Sequence, residues 1–288
     1  MRRAAFLGGG FALALLAAPA RADSPPAATG GELESAASGP LWEIGLGLAA
    51  VRLPDYRGSD QSQAYLLPLP YVVYRGKWLR ADRDGARALL VETERVKVDI
   101  SIAASVPTRS RDNRARSGMP DLAPGFEIGP NVNIELLQSA DRQMKLDLRL
   151  PLRAAIAVQR APKTIGTTFS PNLNLDFRSV GGWHVGLLAG PLFADRQYHE
   201  YYYGVDAAYA TPDRPAYHAR GGYAGWQALA ATSRRIGPAW VGAFVRYDSL
   251  RGAVFDASPL VRREHEVTVG VGVSWVFATS GRRVPSAE

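Results

Sequence analysis

The four histidines are the residues of this sequence best suited to acid–base chemistry, so their neighbours decide which reactions are available. His265 stands between Glu264 and Glu266, and Ser258 lies close by along the chain. A serine, a histidine and an acid are the groups that a hydrolase needs at its active site. Their spacing matches no known catalytic pattern. The sequence therefore favours a non-enzymatic protein, with a lipid hydrolase as an alternative.

Two further histidines share one long segment with acids that could bind a metal ion. His199 and His218 lie near Asp195, Glu200 and Asp213. Imidazole and carboxylate are common zinc ligands, but the spacing matches no zinc pattern. We predict no metal site and no cofactor.

Charged residues alternate with apolar ones along several neighbouring segments, which places the charges together on one face of a sheet. Opposite charges in a confined interior are expected to pair across strands. One interpretation is a structural ion-pair network that fills the interior. The alternative is that these residues line a narrow selective channel. The five acids and five bases are Lys97, Asp99, Glu127, Glu135, Lys145, Asp147, Arg149, Arg153, Asp176 and Arg178.

The elements that position these residues are strands. In "EHEVTVGVGVSWVF", residues 264–277, every second residue from Val267 is apolar, and the residues between them are mostly polar or glycine. This period of two is typical of a strand whose faces meet different surroundings. Similar alternation predicts twelve strands, at 41–51, 65–74, 77–83, 86–92, 95–106, 123–137, 143–157, 168–178, 182–193, 222–233, 238–248 and 265–277.

The connections between these strands alternate between short turns and long loops. Short turns on one rim and long loops on the other are typical of an outer-membrane barrel, and no helix is expected between 41 and 277. Aromatic residues near the ends of the apolar stripes favour lipid over a protein core as the outer environment. We predict an all-β fold, a single antiparallel transmembrane β-barrel of about 12 strands (10 or 14 are alternatives). Its loops are extracellular and its turns periplasmic.

The first residues have the three parts of an export signal. Arg2 and Arg3 precede an apolar run that ends in an Ala20-Arg21-Ala22 cleavage site. We predict a signal peptide at 1–22, a flexible periplasmic arm at 23–40, the barrel at 41–277 and a periplasmic tail at 278–288. Cleavage lowers the net charge from +7 to +4, and no nucleic-acid-binding module accompanies that charge. We place the chain in the outer membrane of a Gram-negative bacterium.

The predicted loops carry three sets of candidate binding residues, each with a structural alternative. The "PDYRGSD" stretch is predicted to be a turn folded over the barrel mouth, or alternatively a ligand site. Arginines of the next loop match the geometry of lipopolysaccharide phosphates, or form a solvated loop. Tyrosines suit either binding or packing. The three sets are Pro54, Asp55, Tyr56, Gly58, Ser59 and Asp60; Arg109, Arg111, Arg114 and Arg116; and Tyr198, Tyr201, Tyr202, Tyr203 and Tyr217.

The last predicted strand ends on aromatic residues, as outer-membrane barrels commonly do. Trp275 and Phe277 are the candidate assembly signal, and outer-membrane lipid is the expected surrounding.

Three blocks resemble the MltA-interacting protein (MipA)/OmpV family of outer-membrane proteins. The first, 45–76, carries Pro54-Asp55-Tyr56 and Leu67-Pro68-Leu69-Pro70; the second, 198–225, carries Tyr202-Tyr203-Gly204-Val205; the third is "YDSLRGAVFDASPLV" at 247–261. The resemblance covers 41–277. It implies an outer-membrane barrel that acts as an envelope scaffold, joining a lytic transglycosylase to a bifunctional penicillin-binding protein in peptidoglycan remodelling. Other members of the family are linked to adhesion and to stress responses.

A scaffold of this kind would meet its periplasmic partners through the tails and the short-turn rim. That rim is basic, and its alternative role is solvation near anionic lipid. Its residues are Arg75, Lys77, Arg95, Arg142, Arg234, Arg235, Arg282 and Arg283.

Overall fold

The computed structural model describes residues 38–75, 79–82, 85–88, 91–93 and 95–285. The predicted signal peptide, most of the predicted arm and parts of the third and fourth predicted strands lie outside these ranges. Within them, no helix has the length and apolarity needed to cross a membrane.

The described residues form an antiparallel all-β fold with one short α-helix, α1 (Arg196–Tyr203). The fold class is therefore as predicted from the alternation. The strands within the described ranges are β1 (Ser38–Pro40), β2 (Trp42–Pro54), β3 (Ser62–Arg75), β4 (Leu79–Asp82), β5 (Gly85–Ala88), β6 (Val91–Glu92), β7 (Val96–Ser105), β8 (Gly125–Gln138), β9 (Met144–Ala157), β10 (Lys163–Phe169), β11 (Asn172–Val180), β12 (Trp183–Ala194), β13 (Gly222–Ile236), β14 (Ala239–Ser249), β15 (His265–Thr279) and β16 (Arg283–Pro285).

Strands that follow one another in sequence are mostly neighbours in the main sheet. The path runs β5-β4-β3-β2-β15-β14-β13-β12-β10-β9-β8-β7-β6, and the first and last long strands, β2 and β15, pair with each other. β5 also lies against β7, so the two ends of this path approach each other.

The predicted strand 168–178 begins earlier in the structure, at Lys163, and is divided into two. β10 and β11 are separated by Ser170 and Pro171, yet both pair with β9 on one side and β12 on the other. They therefore occupy one position in the sheet. Proline cannot donate to the ladder, so a break at Pro171 is the expected place for the interruption.

The apolar residues of β15 face outward, away from the protein interior. Val271 is 57% exposed and Trp275 is 56% exposed, whereas Ser274, between them, is 3% exposed. The same alternation follows β2, where Leu46 and Leu48 are exposed and Ala49 is buried. We call these two surfaces the outer face and the inner face of the sheet.

The inner face has two unlike walls. From β7 to β12 it carries charges and amides, whereas from β13 through β15 to β3 its middle carries apolar side chains and glycines, with ion pairs such as Glu43–Arg235, at 3.1 Å, towards its ends. On the apolar wall Tyr71 stacks on Trp240 at 6.2 Å. A Cβ at Gly270 would overlap the ring of Phe244, and one at Gly47 would overlap the Val273 carbonyl, so these glycines admit close packing.

The prediction that 41–277 contains no helix is wrong. Asp195 caps α1, because its carboxylate accepts a hydrogen bond from the Tyr198 amide at 2.8 Å. A period of two along the sequence carries no signal for eight helical residues inside a long loop. The arm and the tail also contain structure, because β1 pairs with β16 at Ser38↔Pro285, and β15 continues past Phe277 to Thr279.

The outer face predicts a depth-dependent cost for charge. Val271→Arg places a guanidinium near the middle of the apolar stripe, which costs about 2–4 kcal/mol, whereas Val267→Arg near its end costs about 0–1 kcal/mol. Urea unfolding in lipid vesicles measures both values, and Val271→Leu serves as the control. Equal costs at the two positions would contradict a membrane interface near Val267.

Candidate functional site

The long loops pack together into a cap at one end of the sheet, and the cap has its own hydrophobic core. Its segments are 55–61, 106–124, 195–221 and 250–264. Phe255, Leu250 and Leu260 are each 0% exposed, and the Tyr203 ring stacks on Phe255 at 3.7 Å. A core of this kind holds the loops in one arrangement, because opening it would return these side chains to water.

The 54–60 turn is tied into the cap by hydrogen bonds. Tyr56 donates its hydroxyl hydrogen to the Leu260 carbonyl at 2.8 Å. The Asp55 carboxylate accepts from Asn113 and from Gln63, each at 2.7 Å. These contacts support the structural interpretation of the turn. Pro54 ends β2, and Gly58 has a positive φ of 92°.

Arg57, inside the same turn, connects the cap to the sheet. The nearest acids along the chain are Asp55 and Asp60, but the Arg57 Nε lies 3.0 Å from Asp248 Oδ1, on β14. Arg246 lies 2.7 Å from the other Asp248 oxygen. One buried carboxylate thus binds two guanidinium groups. We call Arg57, Asp248 and Arg246 the latch.

The Arg57 side chain keeps its charge under the cap. Burial alone would lower the pKa of the guanidinium, but Asp248 raises it, and the net direction is upward. Arg57 also donates to the Ala224 carbonyl at 3.0 Å, and its own carbonyl accepts from the Tyr203 hydroxyl at 3.0 Å. Next to it, the Gly58 amide donates to Glu266 at 2.9 Å.

The loop tyrosines mostly pack inside the cap. Burial raises the pKa of Tyr203 and of Tyr198, and it raises the pKa of Tyr202 to about 12. Tyr198 donates to Glu127 at 3.1 Å, and Tyr201 accepts from the Ala123 amide at 2.9 Å. Tyr217 is half-buried and its backbone pairs with Val205.

The four loop arginines do not act as one set. Arg116 is 3% exposed and donates to the Tyr202 and Pro120 carbonyls, so its side chain faces protein atoms and not the outside. Burial lowers its pKa. Arg111 and Arg114 are 74% and 76% exposed, and Arg109 is exposed as well. The outward set is therefore these three, and Arg114 is also paired with Asp60 at 2.9 Å.

The predicted interior charges meet on the polar wall. Lys145 lies 2.9 Å from Asp147 and 3.5 Å from Glu135. Asp99 accepts hydrogen bonds from Asn131 at 3.0 Å and from Asn133 at 2.9 Å. The amides were on the same alternating face in the sequence, but only charged residues were placed in the predicted network.

Other charged pairs on this wall have longer contacts. Arg149 lies 3.7 Å from Asp176, which is also 3.8 Å from His184. Arg153 lies 3.8 Å from Glu127 and donates to Ser101 at 2.9 Å. Two predicted members lie nearer the short-turn end: Arg178 is exposed, and Lys97 lines a cavity of only about 10 Å³.

The remaining histidines are committed to other contacts. His199 is 0% exposed, and its Nδ1 lies 2.6 Å from the Arg220 carbonyl, to which it must donate. His218 lies 3.0 Å from Glu200. His265 lies 2.8 Å from the Tyr247 hydroxyl, while Ser258 donates to the Tyr203 carbonyl. Among the described residues, no three His, Asp or Glu side chains form a group that could hold a metal ion.

An antiparallel sheet with an apolar outer face and a polar interior is the arrangement of outer-membrane β-barrel proteins. Among solved structures, the chain is similar to a bacterial polysaccharide outer membrane secretin, at 10% identity and a TM-score of 0.42, over 82% of this chain and 99% of that chain. It is also similar to outer membrane phospholipase A from Escherichia coli, at 10% identity and a TM-score of 0.31, over 86% and 98% of the two chains. None of the curated proteins matches the sequence.

The family model of the MltA-interacting protein MipA matches residues 46–277. The chain belongs to this family, as the three sequence blocks indicated. It is an outer-membrane β-barrel protein.

The latch gives a prediction about stability. Asp248→Asn leaves Arg57 and Arg246 without their shared carboxylate, which we expect to cost about 3–5 kcal/mol, because the guanidinium groups stay largely removed from water. Asp112→Asn is the matched control, since its pair with Arg111 is exposed and is worth about 0–1 kcal/mol. Urea unfolding in lipid measures both, and a cost for Asp248→Asn no larger than the control would rule out the latch.

His199 gives a prediction about pH. Burial lowers the pKa of its imidazole in the folded cap, so the unfolded chain binds more protons as the pH falls below about 6.5. Stability therefore decreases with falling pH between that value and the folded pKa, by up to about 1.4 kcal/mol per pH unit. His199→Gln keeps a donor for Arg220 and should remove this part of the slope. Unfolding free energies measured across this range test it, and unchanged slopes would contradict it.

Proposed function

We propose that this protein is a non-enzymatic envelope scaffold whose extracellular end is sealed and whose periplasmic end meets its partners. The observation that carries the proposal is the packed core of the cap, with Phe255, Leu250 and Leu260 withdrawn from water above the latch. A channel needs a water-filled path through its outer mouth. A cap with a dry core at that position favours a structural function.

The short-turn rim and the joined tails are the surface that we assign to the partner. β1 and β16 bring the two ends of the described chain together, and Leu41 donates to the Arg282 carbonyl at 2.8 Å. Arg234 lies over the Trp183 ring at 5.9 Å, at the periplasmic border of the outer face. Exposed arginines of the turns and tails offer donors to carboxylates of a partner protein. The family name points to a lytic transglycosylase as that partner.

A narrow channel is the second candidate, because the polar wall keeps some accessible surface. The Glu135 and Lys145 side chains are each 25% exposed, and Arg149 and Asp176 are each 20% exposed. Accessible charges of both signs could bind water and ions along the wall.

Conductance separates the two candidates. We expect the refolded protein in planar bilayers to carry no steady current, and we expect the same of a variant with Asp99→Asn, Asp147→Asn and Arg149→Gln, because the cap seals both. Steady current in the unsubstituted protein, with an ion selectivity that changes in the variant, would replace the scaffold with a channel.

Binding tests the scaffold directly. The protein in lipid nanodiscs is immobilised, and the soluble part of a lytic transglycosylase is passed over it. Arg282→Ala with Arg283→Ala should weaken binding about tenfold, since each charge-assisted contact contributes about 1.5–3 kcal/mol before solvent screening. The matched control is Arg111→Ala with Arg114→Ala at the opposite end, which should leave binding unchanged. Absence of binding by the unsubstituted protein would contradict this partner.

A further inference from the structure

A groove of about 480 Å³ lies at the capped end, between β10 and α1. It exists because only the last two residues of β10 pair with β12, at Thr168↔Ala194 and Phe169↔Phe193. Beyond that point α1 takes the place of the missing strand. Its lining residues are Lys163, Thr164, Ile165, Arg196, Gln197, Glu200 and Tyr201.

The walls of the groove are held by hydrogen bonds that do not depend on a ligand. Gln197 donates to the Thr164 carbonyl at 2.8 Å, and the Thr167 amide donates to Asp195 at 2.8 Å. Tyr201 accepts from the Ala123 amide, which fixes the ring. The groove is therefore preformed, and its size lies within the usual range of small-molecule sites.

The charges of the groove favour an anion. Lys163 and Arg196 are exposed, and within the described part of the chain neither side chain has an ion-pair partner. The acid of the lining, Glu200, is already used: one oxygen lies 3.0 Å from His218 Nδ1 and the other accepts from the Ala219 amide at 2.7 Å. Two cations thus remain for a ligand, and ammonium and guanidinium groups both bind phosphate.

Apart from these charges, the lining is largely carbon. Ile165 is buried beside Tyr201, whose ring provides a flat apolar surface, and the stems of Lys163 and Arg196 extend it. A flat apolar floor with cations beside it fits a sugar ring that carries phosphate, because the ring has apolar C–H faces as well as polar edges.

The position of the groove identifies the source of such a sugar. Phe169, Phe193 and Tyr223 form a row of aromatic contacts across β10, β12 and β13, at 6.3 Å and 5.8 Å, as expected at a membrane interface. Lys163 lies six residues further along β10, which is about 15 Å above that row after allowance for strand tilt. This is the level of head groups and not of acyl chains.

We propose that this groove binds the phosphorylated sugar head group of a glycolipid of the outer leaflet. Lys163 and Arg196 bind the phosphate, and the Ile165–Tyr201 surface supports the sugar ring. The site is separate from the exposed arginines of the 107–122 loop and does not depend on the scaffold function.

The probe is diphosphorylated lipid A, titrated against the detergent-solubilised full chain. Lys163→Gln with Arg196→Gln should weaken binding about tenfold or more, because two charge-assisted contacts are lost. Arg251→Gln with Arg262→Gln, two exposed arginines of the same end, is the matched control and should bind as the unsubstituted protein does. The heat-dependent gel mobility of each variant verifies folding.

Dephosphorylated lipid A and inorganic phosphate complete the test. The dephosphorylated lipid should bind the unsubstituted protein about tenfold more weakly, with no further loss in the Lys163/Arg196 variant. Equal affinity of that variant and the unsubstituted protein, or an equal loss in the control, would overturn the proposal. Full displacement of lipid A by inorganic phosphate alone would show that phosphate and not the sugar is recognised, which would also overturn it.

Discussion

The constraint on which this structure depends is that backbone amides and carbonyls in hydrocarbon must be paired with one another. β15 shows how it is met, since it pairs with β14 from Ala239↔Trp275 to Ser249↔His265 and with β2 from Val269↔Arg52 to Thr279↔Glu43. Once the ladder satisfies the backbone, an outward side chain needs only to be apolar. The polar groups that face inward have no lipid to bind, and they bind mostly one another. The alternation of the sequence and the interior network are thus two results of one requirement.

The two walls of the inner face meet that requirement in opposite ways. The polar wall pairs each acid with a base or an amide, as Lys145 does with Asp147 and Asn131 with Asp99. The middle of the apolar wall has few polar groups to pair, because Phe244 covers Gly270 and Tyr71 covers part of Trp240. The polar wall is therefore held by directional contacts, and the middle of the apolar wall by packing. Substitutions on the first wall leave unpaired charges, whereas those on the second create cavities or overlaps.

Alternation predicted most of the fold because the period of two is local and is repeated in nearly every strand. The residues from Val267 to Phe277 define an outer face without any knowledge of the partner strands. The features that sequence missed depend on distant or rare events. Arg57 binds Asp248, 191 positions away, although Asp55 and Asp60 lie within three positions of it. The residues around Arg57 do not indicate which acid is its partner, because the partner depends on how the cap packs on β14. The sequence does contain signals for the division at Pro171 and for the N-cap of α1 at Asp195. Each signal is a single residue inside a segment whose alternation is irregular.

The latch explains why the cap and the sheet act as one body. Asp248 is withdrawn from water, and such a carboxylate is stable only with strong partners. Arg246 lies on the same strand as Asp248, but Arg57 belongs to the cap. One of the two guanidinium groups that stabilise the buried carboxylate is therefore in place only when the cap packs on the sheet. An open cap would leave Asp248 with one guanidinium and would expose Phe255 and Leu250 as well. Both effects favour the closed state, and they reinforce each other because the 54–60 turn carries Arg57 and also binds the core through Tyr56. In the proposed scaffold, a cap closed in this way leaves two surfaces for partners: the groove beside α1 at the capped end and the arginine-bearing turns at the opposite end.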